Sequence, residues 1–124
     1  MKFKDIYGDL SDTIYEGNFD CNNNNLTSLE GAPKEINGSF DCSNNNLTSL
    51  EGAPKEINGY FDCSNNNLTS LKDAPKKING SFDCYNNNLT SLEGLSKYYK
   101  RFKSDFSEEE YLDFCKKRFS RYFI

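Results

Sequence analysis

The chain has no histidine among its 124 residues. Histidine is the usual general base, the usual partner of a nucleophilic serine or cysteine, and the commonest nitrogen ligand for metals. Its absence removes most familiar routes to hydrolytic and metal-dependent chemistry. The remaining residue types show no convergent acid–base or nucleophile–base pair. We therefore expect a protein that is not an enzyme and that needs no cofactor and no metal.

Long apolar runs are also absent. No stretch approaches the ~20 apolar residues of a membrane helix, and the opening MKFKDIYGDL lacks the apolar segment of a signal peptide. The five cysteines are odd in number, which argues for reduced thiols rather than a disulfide framework. We expect one domain in the cytoplasm, without membrane contact.

The net charge of −4 is unevenly distributed along the chain. Residues 95–124 contain eight basic and five acidic residues, whereas residues 1–94 contain seven and fourteen. Nucleic-acid affinity depends on clustered lysine and arginine. The sequence therefore predicts an acidic body with a mildly basic tail, and nucleic acid is not the partner we expect for the body.

What the sequence has in abundance is a 21-residue repeat, one copy of which reads FDCSNNNLTSLEGAPKEINGY from Phe40. A unit this short cannot bury its apolar side chains alone, but it can when stacked on its neighbours. Period-two alternation along each strand points Phe40 and Cys42 inward and Asp41 outward. The pattern predicts a solenoid with a short parallel sheet.

From Phe40 to Leu50 the unit follows F-x-C-x-x-N-x-L-x-x-L. This spacing resembles the leucine-rich-repeat core L-x-L-x-x-N-x-L-x-x-L, with Phe and Cys in place of Leu. The string DCSNNNLTSL is similar to short-period leucine-rich-repeat proteins of bacteria and phages. The resemblance covers roughly residues 15–95, and it implies a solenoid whose parallel sheet lines a concave face.

The same resemblance guides the domain boundaries. Pro33, Pro54 and Pro75 suit an extended, irregular convex side, and a glycine before each strand suits a kink where the repeat is one residue longer than the family spacing. We assign residues 1–15 to an N-terminal cap, 16–94 to a solenoid of about four repeats, and 95–124 to a C-terminal α-helical cap.

Two helices are expected in the C-terminal cap. The first is predicted by the i, i+3, i+4, i+7 pattern of Leu95, Tyr98, Tyr99 and Phe102. The second begins with a capping box between Ser107 and Glu110. The aromatic tail at 121–124 could dock on another subunit, so a homodimer remains open.

Two ladders of repeated residues are interpreted as structural. The cysteines act as small core hydrophobes, because in-register parallel neighbours have poor disulfide geometry. The asparagines occupy the buried position of the repeat and hydrogen-bond backbone groups. The rows are Cys21, Cys42, Cys63 and Cys84, and Asn24, Asn45, Asn66 and Asn87.

A row of aspartates is the candidate functional feature. Like charges directly opposite destabilise a sheet, so fold maintenance alone gives no reason for the row. A by-product of duplication, a basic protein partner and calcium are the alternatives, and a flat row converges poorly on one ion. The members of the row are Asp20, Asp41, Asp62 and Asp83.

Positions where the repeats disagree are more informative than positions where they agree. Two tyrosines break the repeat at outward-facing sites, Tyr60 before one strand and Tyr85 after the next. Exposed tyrosine beside carboxylates is typical of a surface that receives arginine or lysine. The candidate partner-binding residues are Tyr60, Asp62, Asp83, Tyr85, Asp41 and Asp20.

These features predict a non-enzymatic module that binds a basic surface of another protein. The resemblance to phage proteins implies an inhibitor of a host protein, for instance a defence nuclease, acting in the host cytoplasm. One alternative is an acidic decoy that mimics nucleic acid. Another is nucleic-acid contact through the basic C-terminal helices, which carry Lys97, Lys100, Arg101 and Lys103.

Overall fold

Each 21-residue unit forms one turn of a parallel β-solenoid of about four turns, and a helix follows at the C-terminal end. The computed structural model describes residues 1–120. In chain order the elements are α1 (Phe3–Tyr7), β1 (Ile14–Glu16), β2 (Phe19–Asp20), β3 (Glu35–Asn37), β4 (Phe40–Asp41), β5 (Glu56–Ile57), β6 (Phe61–Asp62), β7 (Lys77–Ile78), β8 (Ser81–Asp83), β9 (Arg101–Lys103) and α2 (Glu108–Ser120).

The predicted parallel sheet is present and has the order β2-β4-β6-β8-β9. Its register pairs equivalent residues of successive turns, for example Phe40 with Phe61. A second parallel sheet, β1-β3-β5-β7, contains the isoleucines and pairs Ile36 with Ile57. We predicted an irregular segment there. The strand forms because buried Ile36 lies between half-exposed Glu35 and Asn37, which is the alternation of a one-sided strand.

A glycine lies at the corner between the two sheets in each turn, but Gly38, Gly59 and Gly80 do not have positive φ, so the predicted need for glycine's backbone freedom is not what selects them. A Cβ atom on Gly38 would lie 2.4 Å from the carbonyl oxygen of Gly17 in the preceding turn. The side chain is therefore excluded by the close approach of successive turns. The chain turns again after the main-sheet strand, and there the asparagine before each buried asparagine adopts a left-handed conformation. The φ angle is 54° at both Asn44 and Asn65.

The core is built from stacked rows of identical side chains. Phe40, Phe61 and Phe82 are fully buried, and the ring centroids of Phe40 and Phe61 are 6.0 Å apart. The four repeat cysteines are buried free thiols, as the core interpretation predicts. Burial, the largest cause, raises the pKa of Cys21 and of Cys84 to about 12.

The asparagine row satisfies backbone groups inside the solenoid. The Nδ2 of Asn45 donates to the carbonyl oxygens of Cys21 (3.1 Å) and Cys42 (3.0 Å), and its Oδ1 accepts the amide of Leu26 at 2.9 Å. The predicted structural role is confirmed. Toward the C-terminal end the two carboxylate oxygens of Asp105 accept the amides of residues 86 and 87 at 3.0 Å, and the second of these is equivalent to the residue-24 amide that Asn45 accepts.

The N-terminal residues cover the first turn through α1. Phe3 is fully buried, and its ring centroid lies 5.2 Å from that of Phe19. Tyr7 lies 4.9 Å from the same ring in an edge-on arrangement. Aromatic contacts therefore close this end of the core.

The helix predicted over residues 95–102 is absent, and β9 extends the main sheet instead. Phe102 pairs with Phe82, and a bridge between Lys77 and Tyr98 places Tyr99 beside Ile78. The aromatic spacing that suggests a helix is thus the spacing of a divergent repeat that is one residue shorter. This prediction was wrong because three- and four-residue steps fit both structures.

The second predicted helix is confirmed as α2. Ser107 forms the capping box with Glu110, through an amide-to-Oε1 bond of 2.9 Å and a return bond of 3.1 Å. The ring of Tyr111 lies 5.4 Å from that of Phe102, and its hydroxyl hydrogen-bonds to the Tyr99 hydroxyl. The aromatic tail 121–124 and the Phe119 side chain lie outside the described residues. Over residues 1–120, neither helix is both long and apolar enough to cross a bilayer.

Candidate functional site

The aspartate row lies on successive strands of the main sheet, as predicted. Asp20, Asp41, Asp62 and Asp83 are register partners on β2, β4, β6 and β8. Their Cα positions therefore repeat at the spacing of parallel strands, about 4.8 Å. Asp20 is exposed and the other three are half-exposed, so the row forms a continuous acidic surface.

Each aspartate also closes a local turn, which the sequence argument missed. Oδ1 of Asp41 accepts the Ser43 amide at 2.9 Å and the Ser43 hydroxyl at 2.6 Å. Asp62 makes the same pair of bonds to Ser64. The expectation that the fold gives no reason for these carboxylates is corrected, because side-chain turns of this kind stabilise a chain reversal.

The local bonds leave the second carboxylate oxygen available. Oδ2 of Asp41 receives only a long bond of 3.4 Å, from the Nδ2 of Asn22. The pKa of Asp62 is raised, chiefly by burial and then by the charges of Asp83 and Asp41, against the lowering effect of the bonds from Ser64. A cation beside the row would relieve this repulsion.

The two tyrosines that break the repeat project from the acidic row. Tyr60 is 47% exposed and Tyr85 is 43% exposed, although both are large apolar rings. The pKa of Tyr60 is raised by burial and then by Asp41 and Asp62, because these carboxylates disfavour a phenolate. The structure thus brings aromatic rings and carboxylates together on one surface, which we call the acidic–aromatic surface and define as Tyr60, Asp62, Asp83 and Tyr85.

Lys103 is the residue of this region that sequence reasoning placed elsewhere. It is the register partner of Asp83, and its Nζ lies 5.6 Å from the centroid of the Tyr85 ring, within cation–π range. The signal that could have placed Lys103 here is Phe102. It occupies the strand phenylalanine position, but it lies 20 residues after Phe82 rather than 21. With that shift Lys103 follows Phe102 where the other repeats have aspartate.

The calcium alternative finds no support in the geometry of residues 1–120. No group of three or more Cys, Asp or Glu side chains there is arranged to hold a metal ion. The aspartates stand in a line, and calcium needs six to eight oxygens around one point. A row of this shape is better suited to a partner that extends along it.

No known family, curated protein or solved structure matches the chain. The feature that distinguishes the acidic–aromatic surface is its combination of half-buried carboxylates with two exposed rings.

Proposed function

We propose that the chain is a non-enzymatic module that binds another protein through the acidic–aromatic surface. In this proposal Tyr60 and Tyr85 pack against the aliphatic stems of lysine or arginine side chains of the partner. Asp62 and Asp83 accept hydrogen bonds from their charged ends, and Asp41 and Asp20 extend the acidic row. Tyrosine and arginine are the residue types most often found at energetic centres of interfaces.

The observation that supports this proposal most directly is the position of Lys103. Its ammonium group lies over the Tyr85 ring, and in the sheet the residue stands beside Asp83. The chain's own lysine therefore occupies part of the surface in the manner proposed for a partner's cation. Tyr60 has no such lysine among its charged neighbours, which are Asp41, Asp62 and Asp20.

The decoy alternative fits the geometry less well. A duplex carries one phosphate charge per about 1.7 Å of helix axis, whereas the aspartate row supplies one carboxylate per about 4.8 Å. One oxygen of Asp41, Asp62 and Asp83 is also used within the turn. The negative potential of the aspartate row is therefore much weaker than that of the duplex it would have to mimic.

The proposal includes membership of the leucine-rich-repeat family, which is supported by the 21-residue register and the buried asparagine row. A concave curvature of the main sheet belongs to the same proposal. The similarity to phage repeats favours a host protein as the target. The free, buried thiols are consistent with a reducing compartment such as the cytoplasm.

The test is an affinity capture from host lysate in which variants of the chain are compared. Tyr60→Ala and Tyr85→Ala should each weaken retention of the partner by about tenfold or more, and Asp62→Asn should weaken it less. Leu112→Ala is the matched control, because Leu112 is 49% exposed and lies on α2, outside the acidic–aromatic surface. Capture that survives both tyrosine substitutions and Asp62→Asn would show that the partner binds elsewhere.

A salt titration of the isolated complex separates the proposal from the decoy. An interface anchored by tyrosines should keep most of its affinity as salt rises, because apolar contacts are not screened. A decoy that depends on carboxylates alone should lose affinity steeply. A steep loss, together with insensitivity to Tyr60→Ala, would favour the decoy.

A further inference from the structure

A row of four lysines follows the solenoid on a different part of its surface. Lys55 donates its amide to the carbonyl of Lys34 at 2.7 Å, and Lys76 donates to that of Lys55 at 2.9 Å. Successive side chains therefore begin about 4.8 Å apart, and all are exposed. The members of the row are Lys34, Lys55, Lys76 and Lys97.

The residue that follows each lysine changes along the row. It is Glu35 and Glu56 in the first two turns, then Lys77 and Tyr98 in the last two. Residues 1–57 contain four basic and ten acidic residues, and residues 58–124 contain eleven and nine. Lys77 pairs with Glu56 of the preceding turn at 3.9 Å, but no glutamate follows Lys76 or Lys97, so positive charge is greater at the C-terminal half of the row.

This half of the row opens into a groove of about 860 Å³ between the last solenoid turn and α2. Lys76 and Lys97 line one side, and Phe114 and Arg118 line the other. A groove of this volume is within the range of sites that hold small ligands. We call it the basic groove.

Of the cations that line the basic groove, Lys117 is paired with Asp113 at 3.1 Å, whereas Lys76, Lys97 and Arg118 form no ion pair within residues 1–120. Arg118 is fixed by donating to the neutral carbonyl oxygens of Leu95 (2.6 Å) and Ser96 (3.4 Å), which orient the guanidinium but do not neutralise it. Glu93 is the single carboxylate among the described residues that line the groove.

An aromatic ring lies at the edge of the same groove. Tyr98 is 65% exposed, yet its backbone is tied to the solenoid, because its carbonyl oxygen accepts the Ile78 amide at 2.8 Å. An exposed ring on an ordered backbone provides a flat apolar platform at little cost in entropy. Its position beside Lys97 places a stacking surface next to a cation.

We propose that the basic groove binds single-stranded nucleic acid. Lys76, Lys97 and Arg118 contact successive phosphates, and Tyr98 stacks on a base. Cationic grooves with exposed aromatic rings are the usual means of binding single strands without sequence preference. A duplex fits less well, since its bases are enclosed and cannot reach Tyr98. This site is distinct from the acidic–aromatic surface and does not depend on it.

The test is fluorescence anisotropy with a labelled oligothymidylate of about 15 nucleotides, using the full chain. We expect a Kd of about 10⁻⁵ M at about 50 mM salt, and a log–log salt slope of about −2 for three phosphate contacts. Lys76→Ala/Lys97→Ala should weaken binding about tenfold or more. Tyr98→Ala should weaken it by a similar factor, and Tyr98→Phe should retain binding. Glu93→Gln should tighten it.

The lysine row supplies a matched control. Lys34→Ala/Lys55→Ala removes the same two charges from equivalent positions on the acidic turns, and it should change the Kd less than about twofold. Thermal unfolding of each variant checks that the fold is retained. Tyr60→Ala should leave oligonucleotide binding unchanged, so failure of one proposal leaves the other standing.

Three results would overturn the proposal. The first is an equal loss for the two double-lysine variants, which would indicate diffuse attraction rather than a site. The second is equal or tighter binding of a duplex of the same length. The third is equally effective competition by poly-glutamate, which would indicate a general polyanion surface in which Tyr98 has no role.

Discussion

At the scale of single residues, the repeat asparagine is the most heavily used polar side chain of the solenoid. Asn66 donates to the carbonyl oxygens of Cys42, Cys63 and Ser64 at 3.1–3.2 Å and accepts the Leu47 amide at 3.0 Å. It is buried, so water cannot replace these bonds. Removing one side chain would leave several backbone groups of two turns without partners.

We expect Asn66→Ala to lower the free energy of unfolding by about 3 kcal/mol, because the buried amide and carbonyl groups it leaves behind are each costly. Asn67→Ala is the matched control. Asn67 is exposed, and its substitution should change stability by less than about 0.5 kcal/mol. Urea denaturation measures both variants, and equal effects would contradict the structural role of the asparagine row.

At the scale of elements, β9 and α2 together form the C-terminal end of the core. The Phe102 ring lies 5.4 Å from Phe82 on one side and 5.4 Å from Tyr111 on the other. It therefore links the last strand of the main sheet to the capping helix. The helix covers apolar surface that the last turn of a solenoid would otherwise expose.

Phe102→Ala should destabilise the chain by about 2–3 kcal/mol, because it leaves a cavity between sheet and helix. Proteolysis should then occur at lysines of α2 before the solenoid is cut, since the helix loses its main apolar contact. Leu112→Ala on the exposed side of the same helix should alter neither property. A destabilisation from Leu112→Ala as large as that from Phe102→Ala would show that α2 docks through another face.

The sequence predicts the rows of identical residues and the main sheet, but it does not predict the second sheet or the basic groove. The period places Phe40, Cys42 and Asn45 in the core, because stacked identical units must bury identical positions. The Ile36 sheet was missed, since a two- or three-residue strand beside a proline leaves a weak periodic signal. The basic groove could not be predicted, because Lys76 and Arg118 become neighbours only after α2 folds back.

At the scale of the whole molecule, the chain presents two surfaces of opposite character. The acidic–aromatic surface lies on the main sheet, and the basic groove lies between the last turn and α2. Both include a position where a repeat departs from its neighbours, Tyr60 and Tyr85 in one case and Tyr98 in the other. If both proposals hold, the molecule joins a basic protein to a single strand.

The buried cysteine row reports on global unfolding. Burial raises the pKa of Cys42 and Cys63 well above the ordinary range, so reactive thiolate is absent in the folded state. We expect a thiol-specific disulfide reagent to label only half-buried Cys115 rapidly, and the other four at the rate of unfolding. Cys115→Ser should abolish the rapid phase. Rapid labelling of more than one thiol would contradict the buried row.

Asp105 ends the ladder of side-chain hydrogen bonds that runs through the solenoid. A carboxylate accepts the amides of the turn before it but has no N–H to offer onward, whereas asparagine both accepts and donates. The chain of side-chain bonds must stop there. A unit added in the interior, before Asp105, would continue the ladder, because its asparagine would both accept and donate. Each added unit would also lengthen the acidic row by one carboxylate. The number of repeats therefore sets the length of the surface that the aspartates present to a partner.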